Sequence, residues 1–181
     1  MIRRMTALVG RERELAALDA VLGRAAIGEG AAMLVEAEAG IGKSTLLADL
    51  HARAHHAHVA HAEADEMEQG RPFGVIMRAL GCTARSTDER RRRVASLLHA
   101  MPRSDTDELL GRLAGDRFVV QDAIVELVEE LAAERTLVVS IDDAQWADQA
   151  SLATLAVLVR HTRSLPVAIV VACRPWPRPP E

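Results

Sequence analysis

The chain has 181 residues, of which 49% are hydrophobic and 27% are charged, and its formal net charge at pH 7 is −4. A chain of this length can form one domain with a real core, and its acidic balance leaves no basic excess with which to hold nucleic acid. Two cysteines are too few for a disulfide framework, and no apolar run has the length of a membrane span. The charged residues at 11–14 fall where a signal peptide needs apolar residues. We therefore expect a cytoplasmic protein.

The amino-terminal half of the chain alternates helical and extended hydrophobic spacing. Leu15, Leu18, Val21 and Leu22 recur at helical intervals, and Gly28 ends that pattern. In chain order we predict a helix at 12–22, a buried strand at 31–36, a helix at 43–55, a weak strand at 59–62, a short helix at 72–80 with proline in its first turn, and a helix at 88–101.

The carboxyl-terminal half contains the strongest strand signal. Residues 136–141 are apolar and β-branched with charges on both sides, which is typical of a central parallel strand buried on both faces. In chain order we predict helices at 107–113 and 117–134, this central strand, a helix at 151–161 and a buried strand at 167–172. Strands that alternate with helices indicate an α/β fold with a parallel sheet.

The only lysine of the chain, Lys43, lies where the first predicted strand meets the next helix, whereas the other 21 of the 22 basic residues are arginine. A strand, a glycine-bearing loop and Gly42-Lys43-Ser44 at a helix start are typical of a P-loop. There, backbone N–H groups and the lysine surround a phosphate, and the serine hydroxyl binds Mg²⁺. Ala37 replaces the first glycine of the pattern, which is harmless if its φ is negative. The alternative is a helix N-terminus without a ligand.

Two adjacent carboxylates, Asp142 and Asp143, follow the predicted central strand. Carboxylates there are costly unless they meet a cation, and ligands of open α/β sheets bind at the carboxyl ends of the strands. We therefore expect Asp142 to hold the Mg²⁺ shell through water, with the Ser44 hydroxyl on the ion, and Asp143 to orient or deprotonate an attacking water. The alternative is that both acids cap the following turn.

Several segments resemble the signal-transduction ATPases of large LuxR-type bacterial transcription regulators. The similar segments are LVGREREL at 8–15, AGIGKS at 39–44, PFGV at 72–75, DDAQWAD at 142–148 and VACRP at 171–175. They span nearly the whole chain, and the first and fourth are specific, whereas the phosphate loop alone is not. The resemblance implies a P-loop NTPase fold, which is a three-layer α/β/α sandwich with a mainly parallel sheet.

The resemblance also implies which residues bind the nucleotide. Val9, Gly10 and Arg11 would lie near the base. The phosphate-binding loop would comprise Ala37, Ala39, Gly40, Ile41, Gly42, Lys43, Ser44 and Thr45. ATP and Mg²⁺ are the implied cofactors.

The implied catalytic residues are Lys43, Asp143 and Arg174, the last of which would sense the γ-phosphate. Trp146 and Asp148 would fix the segment after the catalytic acids. A packed indole and a helix N-cap are the equally weighted alternative for these two.

We expect residues 1–174 to form the P-loop nucleotide-binding domain and residues 175–181 a flexible proline-rich tail. In the resembled family a fifth strand, a helical lid, a winged helix, repeats and a DNA-binding helix-turn-helix follow, so this chain resembles a domain truncated after the sensor strand. The family strand order would leave strand 31–36 as an exposed edge, which invites pairing. We therefore expect a protein partner or C-terminal domains there, and neither nucleic acid nor membrane as direct partners.

The expected function is ATP binding, with slow hydrolysis, by a module that acts as a nucleotide-dependent switch in a protein resembling a transcriptional regulator. One alternative is a non-hydrolysing nucleotide-binding module. The other is a degenerate remnant that acts as an interaction protein and has no nucleotide affinity.

Two clusters of charged or titratable residues are not expected to carry the function. Histidines at 51, 55, 56, 58 and 61 lack a cysteine or a completing glutamate, so a solvated helix end is favoured over a metal site. The four arginines at 90–93 follow two acids, so a solvated helix face is favoured over nucleic-acid binding.

Overall fold

The computed structural model describes residues 11–100 and 107–175. Four strands and six helices make up the described fold. They are α1 (Glu12–Ala26), β1 (Ala31–Glu36), α2 (Lys43–Arg53), β2 (His58–Glu63), α3 (Gly74–Ala79), α4 (Glu89–Ala100), α5 (Asp107–Glu134), β3 (Leu137–Asp142), α6 (Gln149–His161) and β4 (Val167–Cys173). Single 3-10 turns lie at Glu66–Glu68, Ala144–Trp146 and Thr162–Ser164.

The four described strands form one parallel sheet in the order β1-β4-β3-β2. The register places Glu36 opposite Cys173 and Glu63 opposite Asp142. Because every strand runs in the same direction, all four carboxyl ends lie at one edge of the sheet, which is where ligands of such folds bind.

Helices cover both faces of the sheet, which confirms the predicted three-layer α/β/α arrangement. On one face α1 and α2 pack against β1, β3 and β4 through Leu18, Leu46, Leu50, Val138 and Val170. On the other face α3, α4, α5 and α6 pack against β2, β3 and β4 in the larger cluster. No helix in the described ranges is long and apolar enough to cross a bilayer.

Strand β3 is buried at every position, as its apolar pattern predicts. It has a hydrogen-bonded strand on each side and helices on each face. Ser140 and Asp142 are its buried polar residues. Buried polar groups need partners inside the protein, so these two side chains mark where polar contacts gather.

Strand β1 is an edge strand of the described sheet, and the prediction that it is a buried strand is wrong. Its exposure alternates: Val35 is buried, whereas Leu34 is 63% exposed. A hydrophobic run that faces helices on one side only cannot be told by sequence from a strand covered on both sides. The edge position itself agrees with the predicted strand order.

Two helix predictions need correction. The segments predicted at 107–113 and 117–134 form one continuous helix, α5, so the intervening Gly115 does not end it. Helix α3 begins at Gly74 rather than at Pro72, because Phe73 at its N-cap has a left-handed backbone with φ of 59°. The other predicted elements are confirmed, with ends that shift by a few residues.

Candidate functional site

The loop between β1 and α2 has the backbone of an anion-binding turn. Gly40 and Gly42 have φ of 78° and 91°, in the left-handed region that glycine alone adopts freely. Phe73 and Asp143 are the only described non-glycine residues with positive φ, so Ala37 meets the condition for replacing a glycine. No described residue accepts a hydrogen bond from the N–H groups of Gly40 or Gly42, which lie just before the N-terminus of α2.

Lys43 is a buried cation with only neutral partners among the described residues. Its side chain is 6% exposed, and its Nζ donates to the carbonyl oxygens of Ala37 at 2.8 Å and Glu38 at 3.1 Å. No carboxylate in the described ranges pairs with it. A lysine has three N–H donors, so one remains for an anion, and burial makes an uncompensated charge costly.

Ser44 and Asp142 meet beside this lysine, although they lie 98 positions apart. The Ser44 hydroxyl donates to Asp142 Oδ2 at 2.6 Å, and the Asp143 backbone N–H donates to Asp142 Oδ1 at 2.9 Å. These hydroxyl and carboxylate oxygens are the hard ligands that Mg²⁺ prefers. The described residues hold no group of three or more His, Cys, Asp or Glu arranged as a metal site. The pair therefore suits a cation that takes its remaining ligands from phosphate and water.

Asp143 occupies a strained turn at the end of β3. Its φ and ψ are 48° and 42°, a left-handed conformation that aspartate tolerates better than most residues. Its Oδ1 accepts a hydrogen bond from Gln145 Nε2 at 2.9 Å and lies 3.8 Å from Arg174 Nε at the end of β4. Asp143 and Arg174, two of the residues that the resemblance implies are catalytic, thus lie close together.

Arg11 also reaches the loop from a distant part of the chain. It is the N-cap residue of α1, and its guanidinium donates to the carbonyl oxygen of Ile41. The other two residues predicted near the base, Val9 and Gly10, lie outside the described residues. Ile41 is 52% exposed at the tip of the loop.

A family model for the AAA ATPase domain matches residues 7–171. The chain belongs to the AAA ATPase domain family. Its matched region contains every site residue described above except Arg174. Among curated proteins, none matches the chain. Membership supports nucleotide binding in general terms, since AAA ATPase domains use ATP and a divalent metal.

Cys173 lies at the carboxyl end of β4 in this AAA domain, opposite Glu36. Burial, and secondly the Glu36 carboxylate, raise the pKa of the Cys173 thiol, while Lys43 opposes them. The thiol therefore stays protonated near neutrality and is a poor nucleophile.

Asp148, which closes the segment after the two acids, has a structural role. Its Oδ1 accepts the backbone N–H groups of Phe73 and Ser151, both at 2.8 Å, and its Oδ2 accepts the Ser151 hydroxyl at 2.6 Å. Asp148 thus caps α6 and holds the left-handed Phe73 at the start of α3. Trp146 packs against the larger core cluster. These contacts favour the capping and packing interpretation for both residues.

His55 and His56 are exposed just beyond the end of α2, as expected for a solvated helix end, whereas His51 and His61 contact the central strand. His51 Nε2 lies 2.8 Å and His61 Nδ1 lies 3.0 Å from the hydroxyl of buried Ser140. These contacts join α2 and β2 to the central strand, two residues before Asp142. Burial, and secondly His61, lower the pKa of His51. Ser140 inside an otherwise apolar strand is the sequence signal that could have predicted contacts with polar side chains, because a buried hydroxyl needs hydrogen-bond partners.

In the arginine run at 90–93, Arg90 and Arg93 form ion pairs with α5, and Arg93 is exposed, as expected for a solvated helix face. Arg90 bonds Asp88 at 2.8 Å and Glu134 at 2.7 Å, and Arg93 lies 3.6 Å from Glu126. The Arg90 side chain holds the pKa of Asp88 at about 2. Carboxylates therefore already engage Arg90 and Arg93.

Proposed function

We propose that this AAA domain binds ATP with Mg²⁺ and hydrolyses it slowly. The observation that carries the proposal is Lys43, a cation that is 6% exposed and has only carbonyl partners among the described residues. Its position at the start of α2 directs it to an anion held by loop N–H groups. The Ser44–Asp142 contact at 2.6 Å supports a divalent cation next to that anion.

The nucleotide contacts follow from the loop. Lys43 and the N–H groups of Gly40 and Gly42, which have no acceptor among the described residues, would bind the phosphates. Arg11, which contacts the loop, would lie beside the base. Ser44 and Asp142 would hold Mg²⁺. When bound, the metal neutralises charge on the phosphate oxygens.

Hydrolysis would fall to Asp143. Its carboxylate would take a proton from a water while the water oxygen bonds to the terminal phosphorus and the bond to the bridging oxygen breaks, so that its electron pair leaves with ADP. Arg174, whose Nε lies 3.8 Å from Asp143, would contact the terminal phosphate.

The wider role we propose is a nucleotide-dependent switch in a protein that resembles LuxR-type regulators. The segments at 8–15 and 142–148 support this context by their resemblance to that group. DNA is not the proposed ligand of this chain, because carboxylates and backbone carbonyls already engage Arg90, Arg92 and Arg93.

The proposal includes a protein segment that pairs with β1. This strand is an edge of the described sheet, and its own residue Leu34 is 63% exposed. An unpaired strand edge is a template for another strand. The segment would belong to a C-terminal domain of the same protein or to a partner. A chain that stays monomeric at high concentration, by light scattering after size-exclusion chromatography, with rapid exchange of the β1 amides, would contradict this pairing.

Titration with Mg-ATP tests the proposed function. Lys43→Ala should weaken binding by about 10–100-fold, which is the worth of a hydrogen bond to a charged group. Arg53→Ala is the matched control, because it removes one positive charge from the same helix at a residue that pairs with Asp49 and Asp19. Equal affinity in both variants would contradict the site. No affinity in the unaltered chain would favour an interaction protein.

Phosphate release then separates hydrolysis from binding alone. Asp143→Asn should lower kcat by about 10²–10⁴-fold, the usual worth of a general base, and leave ATP affinity unchanged. Turnover equal to the buffer blank in both proteins, with ATP still bound, would favour a non-hydrolysing module.

A further inference from the structure

Gln145 lies between the strand ends that carry Asp143 and Arg174, and the proposed function gives it no role. It belongs to the single 3-10 turn Ala144–Trp146 that follows β3. Its side-chain Nε2 lies 2.9 Å from Asp143 Oδ1, and its Oε1 lies 3.0 Å from the backbone nitrogen of Arg174. One side chain therefore bonds both strand ends.

Chemistry fixes the orientation of this amide. A carboxylate oxygen only accepts hydrogen bonds and a backbone N–H only donates, so the NH₂ group must face Asp143 and the carbonyl oxygen must face Arg174. With the amide reversed, its oxygen would face the Asp143 carboxylate and its NH₂ group would face the Arg174 N–H, so neither hydrogen bond could form. Glutamate would keep the acceptor for Arg174 and lose the donor for Asp143, whereas leucine would lose both.

The backbone that carries this amide is held on both sides. The Trp146 N–H donates to the Asp143 carbonyl at 2.9 Å, and Gln69 Nε2 donates to the Gln145 carbonyl at 3.3 Å. The Asp143 carboxylate itself has one other polar neighbour among the described side chains, Arg174 Nε at 3.8 Å. Because Arg174 is 45% exposed, that ion pair is weak. Gln145 therefore makes the closest side-chain contact that orients this carboxylate.

We propose that Gln145 is a positioning residue that orients the Asp143 carboxylate and ties it to the end of β4. For its effect on turnover this role rests on the proposed function. The bond to the Arg174 N–H does not rest on it and can be tested without nucleotide. Through that bond, a movement of the Arg174 backbone would change the orientation of the Asp143 carboxylate.

Hydrogen exchange of the Arg174 amide in the full chain tests the link between the strands. Gln145→Leu should speed this exchange by about 3–10-fold, the worth of one neutral hydrogen bond, while Gln145→Glu should keep the protection. The same two substitutions at exposed Gln149, for which the structure gives no contact to Asp143, should leave it unchanged. Equal exchange in Gln145→Leu and the unaltered chain would overturn the link.

Steady-state kinetics test the positioning of Asp143. Both Gln145 variants lose the donor to its carboxylate, so kcat should fall by about 10-fold or more, with the KM for Mg-ATP within about twofold. Glutamate should be the worse of the two, since it adds a like charge. If Gln145 were purely structural, amide protection at Arg174 and kcat would be lost together. The positioning role predicts instead that Gln145→Glu keeps the amide protection and lowers kcat.

The outcomes separate the two ideas. If both Gln145 variants keep the unaltered kcat, the positioning role is wrong while the ATPase proposal stands. If the unaltered chain binds no Mg-ATP, the proposed function is wrong and the positioning role falls with it, while the exchange result still decides the link to Arg174.

Discussion

Asp148 is a buried acid whose replacement should strongly destabilise the described fold. It is 5% exposed and accepts three hydrogen bonds, two from the backbone N–H groups of Phe73 and Ser151 and one from the Ser151 hydroxyl. In Asp148→Ala both N–H groups remain buried without this acceptor. At about 1–3 kcal/mol for each unsatisfied donor, we expect a loss of about 4 kcal/mol in the free energy of unfolding.

Urea unfolding followed by circular dichroism measures this loss, and the melting temperature should fall by about 8–16 °C for a domain of this size. Asp148→Asn keeps an oxygen for the two N–H groups, so it should cost no more than about 1.5 kcal/mol. Asp122 is an exposed acid on α5, and its replacement by alanine should change stability by less than about 0.5 kcal/mol.

The reasoning would be refuted if Asp148→Ala were as stable as the Asp122→Ala control. It would also be refuted if Asp148→Ala kept full stability and lost ATP affinity, because that result would give the residue a functional role in place of the structural role that its contacts favour.

Two further predictions concern packing and pH. A Cβ on Gly30 would lie 1.9 Å from the Thr162 carbonyl oxygen, so Gly30→Ala should destabilise by about 1–3 kcal/mol in urea unfolding, whereas Gly23→Ala, in a helix with open space around it, should stabilise by about 0.5–1 kcal/mol. Burial, and secondly His61, lower the pKa of His51 from 6.5. Below pH 6.5 the unfolded chain therefore binds this proton more readily than the folded chain. The contribution of neutral His51 to the free energy of unfolding is present above pH 6.5 and is lost as the pH falls below it. The melting temperature of His51→Gln should therefore fall less between pH 7.5 and 5.5 than that of the unaltered chain, and an equal fall in both would contradict this cause.

The main features of the fold could be predicted from sequence because the chain's strongest patterns are local. The apolar β-branched run of β3 and the glycine loop before α2 each carry their own signal over a few residues. The contact between Ser44 and Asp142 spans 98 positions, yet it was predictable because the sequence motifs led us to expect both residues beside the same Mg²⁺ ion.

The features that sequence could not predict depend on what lies next to a residue in space. The exposure of Leu34 follows from the place of β1 at the sheet edge, which its own hydrophobic pattern does not report. The contacts of Gln145 with two strand ends have no sequence periodicity behind them. The burial of His51 against Ser140 depends on how α2 crosses the sheet.

The central claim is that Lys43 meets the phosphates of ATP, and the chain offers a direct test because Lys43 is its only lysine. An acyl phosphate derivative of ATP, which transfers its acyl group to a nearby amine, should label Lys43, with the N-terminal amine as the only other amine present. Peptide mass spectrometry should show one labelled side chain, and excess Mg-ATP should protect it. Labelling of Lys43 that excess Mg-ATP does not reduce would contradict the claim.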